Sequence, residues 1–145
     1  VSRFEEILKR PSGEIKPPEA YPVGTYQCII DGPPEQGKSS QKQTDYLRFK
    51  FKIVGIGNDV DQVKATEQQM IGKIITNDYY ITDAAAYRLT EMLIKDIGLD
   101  NDGGKKPTEE LIAEAPNQQL LVKIRHELSP DGKRVFHRVD STAHV

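Results

Sequence analysis

The stretch Tyr46-Leu-Arg-Phe-Lys-Phe-Lys-Ile-Val54 alternates almost without a break. Leu47, Phe49, Phe51 and Ile53 fall on one side, and Tyr46, Arg48, Lys50 and Lys52 on the other. Successive side chains of an extended strand point to opposite faces, so this period of two predicts a half-buried β-strand with an apolar floor and a basic, aromatic roof. A helix through the same residues would spread Phe49, Phe51 and Ile53 around its circumference. The fold must therefore contain a sheet with one wet face.

The rest of the chain supplies partners for that strand. Residues 25–31 and 73–81 read as further strands, and "QLLVKIRHEL-SPDG-KRVFHRVD" as a β-hairpin around a Pro-Asp-Gly turn. Between the third strand and the hairpin, Ala85, Leu89, Met92, Leu93 and Ile97 form a helical apolar stripe that Thr82 or Asp83 can cap and Gly98 can stop. Thr108 to Ala115 reads as one more short helix. Ser2-Arg-Phe-Glu5 is a capping-box pattern for a helix over residues 3–9, and four prolines within residues 10–22 read as an extended linker. Residues 32–45 and 55–70 are polar and read as loops. The expected organisation is an N-terminal helix and linker, 1–20, and one domain, 21–145. Its order β-β-β-α-β-β is that of an α+β, five-stranded OB-fold, a partly open Greek-key barrel.

Function classes narrow quickly. No apolar run is long enough to cross a bilayer, and the single cysteine, Cys28, excludes an internal disulfide and suits a reducing cytoplasm. His126 and His137 lie close in the hairpin, but no third or fourth metal ligand converges on them. No paired-carboxylate, nucleophile or cofactor pattern stands out, so neither catalysis nor a cofactor is expected. "GPPEQGKS", Gly32–Ser39, does match the phosphate-binding P-loop letter for letter. That loop works only when it opens a helix, whose N-terminal N–H groups cradle the phosphates. Here strand periodicity follows instead, so nucleotide binding ranks third among the readings and a flexible loop is expected.

The charges point elsewhere. Residues 46–54 carry three bases and no acid, whereas residues 82–116 hold eight acids against four bases. With Leu128 paired to Lys133 across the turn, Lys123, Arg125, Arg134, Phe136 and Arg138 share the hairpin face away from the core. Phe136 then stands opposite Arg125, flanked along its own strand by Arg134 and Arg138. Aromatic rings among cations provide a stacking platform and phosphate neutralisation together, the combination that single-stranded nucleic acid requires. Lys38 and Lys42 add charge in the loop before the basic strand. The competing reading is a merely solvated face whose Lys and Arg block edge-to-edge aggregation, on a structural or protein-interaction module.

From Tyr21 onward the chain resembles a family of small bacteriophage proteins regarded as OB-fold, single-stranded-DNA-binding-like replication or recombination factors. The resemblance lies in "YPVGTYQCII", "GKSSQKQTDYLRFKFKIVG", "IGKIITNDYYIT", "AAAYRLTEMLIKDIGL" and "QQLLVKIRHE". It implies a viral protein of the host cytoplasm that binds single-stranded DNA with weak sequence preference. It also implies phage or host replication and recombination proteins as partners, and a Lys/Thr/Ser/Gly-rich loop over residues 37–44.

Overall fold

The structure is a computed structural model that describes residues 3–12, 19–40 and 43–145. Its centre is an antiparallel sheet built on β3, Asp45–Ile56, the strand that contains the alternating stretch. One edge of β3 pairs with β4, Ile74–Tyr80, through residues 46–52. Its other edge is shared by β2, Glu35–Lys38, and β1, Gly24–Ile30. β1 passes the sheet on to β5, Gln119–Leu128, which forms a hairpin with β6, Val135–Ala143. The domain is thus mainly antiparallel β with a few helices, as its periodicities predict.

The core follows from the pleat. Cys28 pairs with Ile53 on one side and Leu120 on the other, and all three are fully buried. Tyr26, Ile30, Phe49, Phe51, Ile75, Val122 and Ile124 lie on the same face. Each such large apolar side chain contributes about 1.5–3 kcal/mol by leaving water. Helices close this face. In α3, Asp83–Glu91, the Thr82 hydroxyl accepts the Ala85 N–H at 3.3 Å, and Leu89 faces inward. The helix widens into a π turn, Met92–Asp96, where the Ile97 N–H reaches back five residues to the Met92 carbonyl, and Gly98 ends it with φ of 86°. α4, Thr108–Glu114, adds Leu111. α1 spans Arg3–Leu8, while residues 13–18 of the expected linker lie outside the described residues.

Three expectations change. The polar segment 32–45 contains a sixth strand, β2, because its Glu35–Lys38 backbone pairs with the first residues of β3. The segment 55–70 contains α2, Gln62–Glu67, capped by Asp61, whose carboxylate accepts the Lys64 N–H at 3.1 Å. Of the five-stranded, partly open OB barrel only the coarser part is seen, a mainly antiparallel sheet that stays open. β4 and β6 approach each other but exchange no ladder, leaving the sheet open along that seam. The end of β6 is tied instead to the π turn, with Thr142 Oγ1 donating to the Asp96 carboxylate and His144 Nδ1 3.0 Å from the Asp96 carbonyl. No helix of the described residues is long and apolar enough to cross a membrane.

Candidate nucleic-acid interface

The outer face of β3 and β4 gathers one group of the expected contacts. Phe49, Phe51 and Ile53 anchor β3 in the core, so the alternation turns Tyr46, Arg48, Lys50 and Lys52 outward. The β4 register then sets Tyr80 beside Tyr46 and Asp78 beside Arg48. The two tyrosine rings meet edge to face, with centroids 5.6 Å apart. The Arg48 guanidinium lies 5.4 Å from the Tyr46 ring centre and donates two hydrogen bonds to Asp78, at 2.8 and 3.1 Å. That carboxylate raises the Arg48 pKa still further, so the side chain stays charged. Lys50 reaches Glu35 at 3.3 Å and Lys38 reaches Asp45 at 4.0 Å. Lys52 is exposed and has no carboxylate partner among the described residues. Lys42 lies outside the described residues.

Sequence reasoning missed Tyr80. Alternation indicates that only one of Tyr79 and Tyr80 is exposed. The structure buries Tyr79 edge-on to Phe49 and leaves Tyr80 41% exposed. The pairing register carried that information, and nothing local in the sequence fixes it.

"GPPEQGKS" acquires a different meaning here. Its second half is strand β2, and among the described residues no helix follows until α2. Gly37 stands opposite Tyr46, and a Cβ added to it would lie 2.4 Å from the ring's Cζ. The glycine that resembles a phosphate cradle is there because an aromatic ring lies on its backbone.

The hairpin holds the second group, in a register two residues from the expected one. The turn occupies residues 129–134, with Leu128 pairing Val135. Asp131 explains the longer turn, since its carboxylate accepts from the Ser129 hydroxyl and the Lys133 N–H, while Ser129 Oγ accepts the Arg134 N–H. Those bonds also hold the Asp131 carboxyl below its usual pKa. A shift of two preserves the faces but changes the partners. Phe136 stands opposite Glu127 rather than Arg125, and Arg125 faces Arg138. Arg134 and Arg138 flank Phe136 as expected, each 5.1 Å from the ring centre. Arg138 pairs with Glu127 at 3.1 Å and Arg125 with Asp140 at 3.7 Å. Lys123 remains exposed without an ion pair among the described residues. Phe136 is therefore already covered by cations, whereas Tyr80 offers an open ring.

The histidines have structural partners. His137 Nδ1 accepts the Tyr21 N–H at 3.1 Å and its ring stacks on Tyr21 at 3.9 Å, while His126 Nε2 lies 2.7 Å from the Tyr21 carbonyl. Tyr21 in turn donates its hydroxyl to the Ile74 carbonyl on β4, so it straps β6 to β4 across the open seam. Burial, then Arg138 and His126, push the His137 pKa down. Among the described residues no group of three or more His, Cys, Asp and Glu is placed to hold a metal.

No protein-family model matches the chain, and no curated protein matches it.

Proposed function

We propose that the chain is a non-catalytic, OB-fold protein that binds single-stranded DNA with weak sequence preference and serves phage DNA replication or recombination. The connectivity supports that fold: a β1–β3–β4 meander, a helix, and a hairpin whose first strand returns beside β1. One observation carries the functional reading. The Tyr46–Tyr80 pair shares a solvent-facing strand surface with Arg48, Lys50 and Lys52, so stacking and phosphate neutralisation occur on one face. Several of these cations are paired with carboxylates, but ion pairs this exposed are worth only about 0–1 kcal/mol, so phosphates can replace the acids cheaply.

The same ion pairs favour a second reading, a protein-interaction module whose basic faces are internally balanced. Fluorescence anisotropy of a labelled oligo-dT at several salt concentrations separates the two. Under the first reading, affinity falls steeply with salt. Tyr46→Ala then weakens binding by about 5- to 150-fold, the worth of one stacked base. Lys52→Ala reduces the salt slope by about 0.7. No binding at low salt overturns it and leaves the second reading.

A further inference from the structure

Beyond the β3–β4 face, the structure holds a cleft of about 570 Å3 between Ser39, Ser40 and Thr44, which flank β2 and β3, and the start of α3. Its wall carries the hydroxyls of Ser39, Ser40, Thr44 and Thr82, together with Tyr80 and Arg88. A second cleft of about 340 Å3, along the β4–β6 seam, shares Tyr80 and Arg88, which stand where the two meet. The first volume falls within the range of about 300–1,000 Å3 that small-molecule sites occupy. Arg88 differs from the ion-paired cations of β3 and the hairpin in one respect, which Lys52 and Lys123 share. Arg48, Lys50, Arg125 and Arg138 each hold a carboxylate, whereas Arg88 is exposed with no carboxylate partner among the described residues. The three acids of the seam cleft are engaged elsewhere, Asp78 with Arg48, Glu91 with Lys95 and Asp140 with Arg125. The guanidinium is therefore free to pair with two phosphate oxygens by two parallel hydrogen bonds.

We infer that this cleft is a nucleotide subsite: it takes one nucleotide of a bound single strand, with the base on the Tyr80 ring and its phosphate on Arg88. This rests on the single-stranded-DNA reading above, and it adds an exit for the strand at the Tyr46–Tyr80 end of β3. Tyr80 ends β4 and α3 begins three residues later, so a strand crossing β3 toward Tyr46 is delivered to the cleft. The hydroxyls around it suit sugar and phosphate oxygens and discriminate poorly among bases, which agrees with weak sequence preference. A free anion would need the cation alone; the exposed ring beside it argues for a nucleotide.

The test combines photocrosslinking with salt titration on the full chain. A 5-bromouracil-substituted oligo-dT is irradiated and the adduct mapped by mass spectrometry, and anisotropy is measured from about 50 to 200 mM salt. Crosslinks should map to Tyr80. Arg88→Gln should reduce the salt slope by about 0.7, and Arg88→Lys, which keeps the charge, should restore it. Thermal melts of both variants verify folding. If the protein binds and Lys52→Ala weakens it, yet the Arg88→Gln slope is unchanged or crosslinks miss Tyr80, the subsite is refuted while the interface stands. If the wild-type chain does not bind at all, both fall.

Discussion

Gly37 offers a sharp test of how the β2–β3 hairpin is built. Its φ lies outside the left-handed region, so alanine fits the backbone without strain, and strand alanine is favoured over glycine by about 0.5–1 kcal/mol. With no other influence, Gly37→Ala should stabilise the protein. The Tyr46 ring opposes this. A Cβ at position 37 would lie 2.4 Å from Cζ, 2.5 Å from Oη and 2.9 Å from Cε2, well inside the contact distance of about 3.5–4.0 Å. The ring must retreat by roughly 1 Å or swing away. Because these atoms are the far end of a mobile side chain, the core is not disturbed. What is lost is the ring's seat on the strand and its edge-to-face contact with Tyr80, worth about 0.5–1.5 kcal/mol.

The two terms nearly cancel in the single variant, so the decisive quantity is the coupling between positions 37 and 46. In a Tyr46→Ala background the clash is gone, and Gly37→Ala should stabilise by its full propensity gain. In the wild-type background it should be neutral or destabilising. The double-mutant cycle should therefore give a coupling of about 0.5–1.5 kcal/mol, the worth of the lost contact, read by urea melts of the four proteins or as a difference in melting shift of about 4 °C. A stabilisation of the same size in both backgrounds would refute the seat. A phosphate-binding loop predicts a different pattern: loss of ATP affinity in Gly37→Ala and no coupling to Tyr46.

Further outcomes follow from individual contacts. Asp78→Asn releases Arg48 from a half-exposed pair, so it should cost less than about 1 kcal/mol of stability. It should also raise oligo-dT affinity and steepen the salt slope, and weaker binding would remove Arg48 from the interface. His137 accepts the Tyr21 N–H through Nδ1 and must be unprotonated there, and its folded pKa is depressed from an ordinary 6.5. In the window between those two values the unfolded chain binds more protons, so stability rises with pH. The contribution of this residue should be complete above 6.5, decline as pH falls through that value, and level off below the folded pKa. Urea melts across that range should show the slope in the wild type, and its persistence in His137→Gln would assign it elsewhere. Cys28 is fully buried and its thiol is pushed up to about 12, so at about pH 8 a disulfide reagent should react only in denaturant. Rapid labelling of the native protein would place Cys28 nearer the surface.

The parts of the fold legible in the sequence are those written in local periodicity. The β3 alternation placed Phe49, Phe51 and Ile53 inside and four polar or aromatic neighbours outside, because the pleat leaves no other arrangement. The α3 stripe and its Thr82 cap were legible for the same reason. α2 was not, since six residues with only Ala65 buried make too little pattern to distinguish from a loop. Neither was β2, whose Glu-Gln-Gly-Lys carries no apolar side and is held by pairing to β3 and by the ring on Gly37.

The interface divides along the same line. Which side each cation faces depends on strand parity, so Arg48, Lys50, Lys123, Arg125 and Arg138 were assignable. Which carboxylate each cation meets depends on register between strands. Registers are set by turn length, and a shift of two residues keeps every face while changing every partner. The Asp131 turn made that shift, exchanging the expected Phe136–Arg125 pair for Phe136–Glu127, and it brought Arg138 within reach of Glu127. Strand parity gives the electrostatic sign of a sheet face, but register decides how much of that charge is already neutralised by the chain. Arg88 lies on a helix outside that sheet register, and among the described residues the strand acids nearest its cleft, Asp78 and Asp140, are paired with Arg48 and Arg125 instead.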